Sequence, residues 1–484
     1  MINTRNGHVK AHDLTRRVLL MKKKANCLDP STTAENEVLP GYLKWAWTSR
    51  GLSLALNVLL IMQLTYYCTD MLGMGATLVG TLLLASKIFD GVTDLFVGFI
   101  IDATHTKWGK ARPYEIFIVF VWGLTVLLFS APEMSTTGKA IFVFVLYTLI
   151  NSVCATFLNG GDAVYLARSI RSEKNRVSVM SFNGGIIMLF SIVISMLLPQ
   201  LIAGMGSTKE GWTTMALIFA IPCAIIGMFR FIFVKEVVDD NQPSDQQKEE
   251  VQKFPLKQSL KCVFSNKYIF ILAGMTLVVQ LATNIGTAVN TYYFKYIMGN
   301  IGLATLVSIG SMLTPVILLI FPVLSRKFGT VPILRAGAVL GVVGYGIRIL
   351  GGTNLVTLTL GSVIGGVAIL PVTMMISIYL IDTMDYGEWK TGTRVEGMLA
   401  SVNSFASKLG SGIASGMVGL IMGLAGYDGS LATQSASALT SIQVLFNYVP
   451  MVLMVVLLIL GIAYKLDKEL PQIKADLAKK HEAQ

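Results

Sequence analysis

Apolar runs of about 20 residues, the length that crosses a bilayer core as a helix, recur twelve times along the chain. They lie near 43–68, 76–103, 114–131, 140–167, 177–204, 212–234, 265–297, 301–324, 331–351, 355–385, 395–424 and 443–465. Between spans 6 and 7 the stretch KEVVDDNQPSDQQKEEVQK has no apolar period and reads as a flexible linker. The layout expected is a tail (1–40), a six-helix bundle (41–234), a linker (235–264), a second six-helix bundle (265–465) and a tail (466–484).

Two sets of six spans around a linker predict an all-α membrane protein of the major facilitator fold, with its site at the midplane between the bundles. Composition agrees: 53% of the 484 residues are hydrophobic and 14% charged, against roughly 25% charged in soluble domains. The net charge of +11 sorts by loop. Lys107, Lys110, Arg112, Arg168, Arg171, Lys174, Arg176, Arg326, Lys327, Lys390 and Arg394 share one side with both tails and the linker, opposite Lys139 and Lys209. The positive-inside rule then places both termini in the cytoplasm of a plasma-membrane protein, and the basic excess calls for no nucleic acid. The VLLM run between Arg17 and Lys22 is too short for a signal peptide, and Met21 before three lysines reads as an alternative start.

Cys27, Cys68, Cys154, Cys223 and Cys262 form no CxxC pair, so no disulfide framework, redox motif or zinc site is expected. The histidines, at 8, 12, 105 and 481, lie in tails or a loop. A membrane-embedded enzyme needing a His dyad, HExxH or GxSxG is therefore disfavoured, and a proton path through the spans would use carboxylates. No filter-like re-entrant loop suggests a channel.

Span 2 carries Lys87, Asp90 and Asp94 near its middle, where each charge costs about 2.5–3.5 kcal/mol on insertion scales. Their spacing of i, i+3 and i+7 puts them on one helical face, which must look into the protein. Lys408 lies some 13 residues into span 11, about 20 Å deep, at the depth of Asp90. It is the natural countercharge for Asp90 and Asp94, and a cation entering the cluster would displace it, giving a coupling switch. Polar stripes on spans 1 (Ser53, Asn57), 4 (Asn159, Asp162) and 7 (Gln280, Asn284, Thr287, Thr291), with Asn403 and Lys408 on span 11, are candidates for lining a substrate cavity. Helix-to-helix glue explains the stripes of spans 1 and 7 equally well. Arg50 and Arg348, near span ends, are expected to snorkel.

Two long blocks resemble the glycoside-pentoside-hexuronide:cation symporters, to which the bacterial melibiose carrier belongs. The first is YYCTDMLG (66–73) with KIFDGVTDLFVGFIIDATHTKWGKARP (87–113); the second is DTMDYGEWKTGTRVEGMLASVNSFASKLGSG (382–412), followed by GLAGY (423–427). The resemblance implies a cation site at Asp90 and Asp94 with Thr156 as a ligand, and assigns the family's helix XI lysine to Lys408. Thr93 stands where the family often has asparagine and keeps an oxygen ligand for the cation without the amide, and Lys87 stands where it has arginine, a second midplane cation in the coupling cluster. Na⁺ at Asp90 and Asp94, or H⁺, is the implied coupling ion. Acidic sugar-site residues of the melibiose carrier fall on Leu54 and Asn159, and an arginine on Gly184, so its galactoside contacts are not retained. Asp102, Arg112, Asp382, Asp385, Glu388 and Arg394 look like paired gating loops that latch the halves when the outside is open. The expectation is a secondary active transporter working as a monomer on a small sugar-like substrate, needing no cofactor beyond the coupling cation. A lysophospholipid carrier on the same fold is the alternative.

Overall fold

The computed structural model describes residues 39–170, 172–236, 256–308, 320, 324–325, 327–392 and 396–482. Ten helices among them are long and apolar enough to cross a membrane. We number the helices to match the spans. The first half holds α1 (Gly41–Met71), α2 (Ala76–Ala103), α3 (Phe117–Leu128), α4 (Thr136–Ser169), α5 (Glu173–Met205) and α6 (Lys209–Phe233). The second holds α7 (Lys267–Ile297), α8 (Leu303–Ser308), α9 (Thr330–Gly351), α10 (Leu355–Thr391) and α11 (Glu396–Leu424). It closes with α12, built from Ala436–Gln443, Val444–Tyr448 and Val449–Ala463, and with α13 (Leu466–Glu482). The third span opens as a tighter turn, Arg112–Ile116, around Pro113, which leaves a regular helix of only 12 residues. Most of the eighth span, residues 1–38 and linker residues 237–255 lie outside the described residues.

Two expectations at the ends of the second bundle change. Leu256–Ser265, placed in the linker, is helical. The C-terminal tail is also a helix and is docked: Tyr268 donates to Glu469 (2.7 Å), Trp389 to Asp476 (3.2 Å), and Lys474 lies 3.6 Å from Asp382 and 3.8 Å from Asp385.

Helix starts follow capping chemistry. Ser135, Ser172, Thr208, Asn266, Asn354 and Ser435 each accept a first-turn N–H with their side chains, which satisfies donors that have no partner within the helix. Among the described residues four helices widen by a π turn, at Tyr67–Met71, Leu149–Ala155, Tyr293–Ile297 and Val444–Tyr448. The first and third begin on the second tyrosine of a Tyr-Tyr pair (Tyr66-Tyr67, Tyr292-Tyr293) at equivalent ends of α1 and α7, the mark of a repeated half.

In the first bundle Trp212 stacks on Phe129 at 5.4 Å and both are fully buried. In the second, Leu272, Met275 and Tyr379 are fully buried. The outer surface is apolar: Ile218, Ile221, Ile225 and Ile232 of α6 are each at least half exposed, a stripe suited to lipid. The halves meet through α2 with α11, α5 with α8, and α1 with α7.

Candidate functional site

Glycines seat α2 on α11. Gly412, Gly416, Gly419 and Gly423 recur on one face of α11, and a Cβ at Gly412 would lie 3.0 Å from Lys87 Cβ, one at Gly416 3.1 Å from Leu84, and one at Gly80 2.8 Å from Gly419 Cα. Such close approach of backbones is what small residues allow between membrane helices. It sets the charged face of α2 against Lys408, one turn before Gly412. Lys408 Nζ is paired with Asp94 Oδ2 and lies 3.7 Å from Asp90 Oδ1, while Lys87 Nζ is 3.6 Å from Asp90 Oδ2. Thr156 of α4 donates to Asp90 Oδ1 at 3.0 Å. Two carboxylates and two ammonium groups thus form one neutral cluster across the interface. Asp90 is nearly buried at 8% side-chain exposure, whereas Asp94 keeps 37% and Lys408 28%. Thr93 turns its hydroxyl to the Asp90 backbone carbonyl (3.0 Å), away from carboxylate ligation.

The expected substrate residues divide. Ser53 donates to Cys223 O and accepts from Trp122 Nε1, both at 2.8 Å, and Asn57 donates to Thr125 Oγ1 at 2.8 Å. Both are buried within the first bundle, so the stripe on α1 is glue. Asp162 is held by Arg50 (2.5 Å) and Arg230 (2.6 Å). Arg50, only 4% exposed and also 3.8 Å from Glu115, is therefore a buried ion-pair partner and does not snorkel. On α7, Gln280 donates to Ser407 (2.7 Å), Asn284 accepts from Ser411 (3.3 Å), and Asn403 accepts from Thr276 (2.7 Å); all three tie α7 to α11. Thr287 lines a cavity of about 370 Å³ with Gln63, Asn290 and Ser362. Asn159 is exposed.

We expect Ser53→Ala and Asn57→Ala to lower the melting temperature, the first removing two buried hydrogen bonds and the second one, each worth about 1 kcal/mol, with sugar affinity unchanged. Thr287→Ala should weaken sugar binding at unchanged stability. Paired thermal melts and binding isotherms check both.

The described contacts of Arg112, Asp382 and Asp385 stay within their own halves. Arg112 donates to Phe231 O (2.8 and 3.0 Å) within the first half, and Asp382 and Asp385 meet Lys474 within the second. The Asp102 side chain and Arg394 lie outside the described residues; Glu388 has an interaction of its own.

The seal lies at the opposite end, away from both tails, and sequence reading missed it. Asp70, with no side-chain exposure, ends α1 and accepts from Lys295 (2.6 Å), Tyr296 (2.7 Å) and Tyr427 (2.6 Å), all of the second half. Thr69 bonds Tyr292 (2.8 Å), and Thr291 donates to Gln63 (2.7 Å). The signal available was Asp70 and Tyr427 inside YYCTDMLG and GLAGY, each the polar residue of an apolar block.

The family model described as MFS/sugar transport protein matches residues 52–468. The isoprimeverose transporter of Lactiplantibacillus pentosus is 31% identical over 461 residues, 93% of this chain and 94% of that protein. A glucuronide carrier protein homolog of Escherichia coli K12 is 26% identical over 444 residues, 87% and 91% of the two chains. In fold, the crystal structure of a D-xylose-proton symporter superposes with a TM-score of 0.63 at 13% identity, covering 87% of this chain and 97% of that one. With two six-helix bundles, a charged cluster between them and a family match across nearly all of both, the chain belongs to the MFS sugar-transport proteins.

Proposed function

We propose that this protein is a symporter that moves a glycoside, pentoside or hexuronide together with Na⁺ or H⁺ across the plasma membrane by alternating access, with both termini in the cytoplasm. The observation that carries the reading is Lys408 of one half lying against Asp90 and Asp94 of the other. A cation competing for these carboxylates alters the attraction between the bundles, and a site that contacts both halves is what couples binding to their rocking. Asp90, Asp94 and Thr156 supply hard oxygens for Na⁺, and either carboxylate accepts a proton. With the Asp70 seal on the outer side, the arrangement reads as the inward-facing state. Because one chain supplies both halves of the cluster, a monomer suffices.

A thermal-shift screen of glycosides, pentosides and uronides, each with and without Na⁺ and at two pH values, tests the reading. A ligand at 100 times its Kd stabilises by about 2.7 kcal/mol. One sugar class should raise the melting temperature, and the coupling ion should strengthen that shift, since linkage is reciprocal. Stabilisation by lysophospholipid with none by any sugar would overturn the proposal.

A further inference from the structure

Arg348, expected to snorkel from the end of α9, is instead buried at 6% exposure and lines the 370 Å³ cavity between the halves, beside the Gln63–Thr291 bond. One of its N–H groups donates to Phe446 O at 3.1 Å, at the π turn of α12, and its guanidinium sits 4.0 Å over the Phe446 ring and 5.1 Å from that of Tyr345. Its Nε has no partner. Among the described residues no carboxylate pairs with it. The sequence explains why: from residue 251 to 381 there is no aspartate or glutamate, so α7, α8, α9 and the lining part of α10 have none to offer. The lining residues of α1 and α5 are neutral, and Asp70, at the end of α1, is already bonded by Lys295, Tyr296 and Tyr427.

A desolvated guanidinium without a counterion is costly. Capping the π turn uses one of its five donors, and the aromatic faces offset part of the cost, but neither supplies a negative charge. Around it the cavity offers neutral groups that donate and accept, Thr287, Asn290, Ser362 and Gln63, the chemistry of hydroxyl recognition. Its volume is within the range of small-molecule sites. We propose that Arg348 holds the carboxylate of an acidic sugar in this cavity while the amide and hydroxyl groups engage the ring, so that the substrate is a uronic acid or its glycoside. This rests on the sugar-transport reading and narrows it. The Arg348 site is separate from the cluster at Asp90 and Asp94, whose charges already balance.

The test measures binding of glucuronate, glucose, methyl glucoside and acetate to the full-length protein and to three variants. Glucuronate should bind the wild type more tightly than glucose or acetate. Arg348→Gln should weaken glucuronate at least about tenfold, the scale of a charge-assisted bidentate contact, and Arg348→Lys should retain part of the affinity. Should Arg348→Gln fail to fold, Gly366→Leu keeps the question open to test, because a Cβ there meets nothing within 4 Å and the larger side chain would fill the cavity; it should abolish glucuronate binding with Arg348 intact. Equal affinity for acetate and glucuronate, or an unchanged glucuronate Kd in a destabilised Arg348→Gln, would overturn the assignment. If methyl glucoside binds and glucuronate does not, the inference fails while the transport reading stands. If no sugar of either charge binds, the transport reading itself fails.

Discussion

Asp94→Asn, and likewise Asp90→Asn, should abolish cation-driven accumulation while leaving a folded protein. A tenfold cation gradient is worth about 1.4 kcal/mol, enough for roughly tenfold accumulation at one cation per sugar; without coupling the ratio falls to about one. The geometry explains why one carboxylate is not a spare for the other. Asp94 is paired with Lys408, while Asp90 is shared among Lys408, Lys87 and Thr156. Removing either charge leaves the cluster with a net positive excess at the membrane midplane, which disfavours cation entry. Downhill exchange should survive to the extent that sugar binding does not require the ion. Lys408→Ala should do the opposite, leaving two carboxylates with one ammonium and the cluster with a net negative excess. In a double-mutant cycle, Lys408→Ala with Asp94→Asn should be more stable than the sum of the single losses. Normal uphill accumulation in both carboxylate variants would contradict the assignment.

Asp70→Ala should trap the protein open at the end sealed here. Three donors of the second half converge on this buried carboxylate, and its loss leaves Lys295 without its counterion. Breaking a fully buried pair costs about 3–5 kcal/mol; Lys295 keeps 30% side-chain exposure, so the effect here is smaller. The penalty falls only on the closed state, because opening lets Lys295 reach water. A shift of even roughly 2 kcal/mol changes the ratio of the two states about thirtyfold. Cys68, Cys154, Cys223 and Cys262 are buried. A Thr287→Cys reporter in a Cys27→Ser background should therefore label faster from outside with an impermeant thiol reagent when Asp70 is also replaced, and Asp70→Ala alone, with Thr287 intact, should lower transport. Unchanged labelling with normal transport would remove Asp70 from the gate.

Hydropathy and charge made the described spans and the Lys408 pairing legible, because apolar length and depth along a helix are one-dimensional properties. Neighbours are not. The stripe of Ser53 and Asn57 has the same period whether it faces sugar or another helix, and only packing against Trp122, Thr125 and Cys223 shows that it is glue. Arg50 and Arg348 looked like interface residues from their positions near span ends. The first is held by Asp162 and Glu115, which lie far away in sequence, and the second by the π turn of α12. The C-terminal helix was legible in Leu466, Leu470, Ile473 and Leu477, an amphipathic period that packs on the core of the second half, and a search for runs long enough to span a bilayer passes it over. The Asp70 seal was hidden by its place at a span end, where a charge costs little and draws no attention.

Gradient-driven uptake in proteoliposomes is the most direct test of coupling through the interface cluster. The purified protein is given an inward Na⁺ gradient, an inward H⁺ gradient or neither, together with the sugar found by the binding screen. Accumulation above equilibrium under one gradient, lost in Asp94→Asn while equilibrative entry continues, is the result the coupling requires. Equal uptake with and without either gradient, or full accumulation in Asp94→Asn, would contradict it.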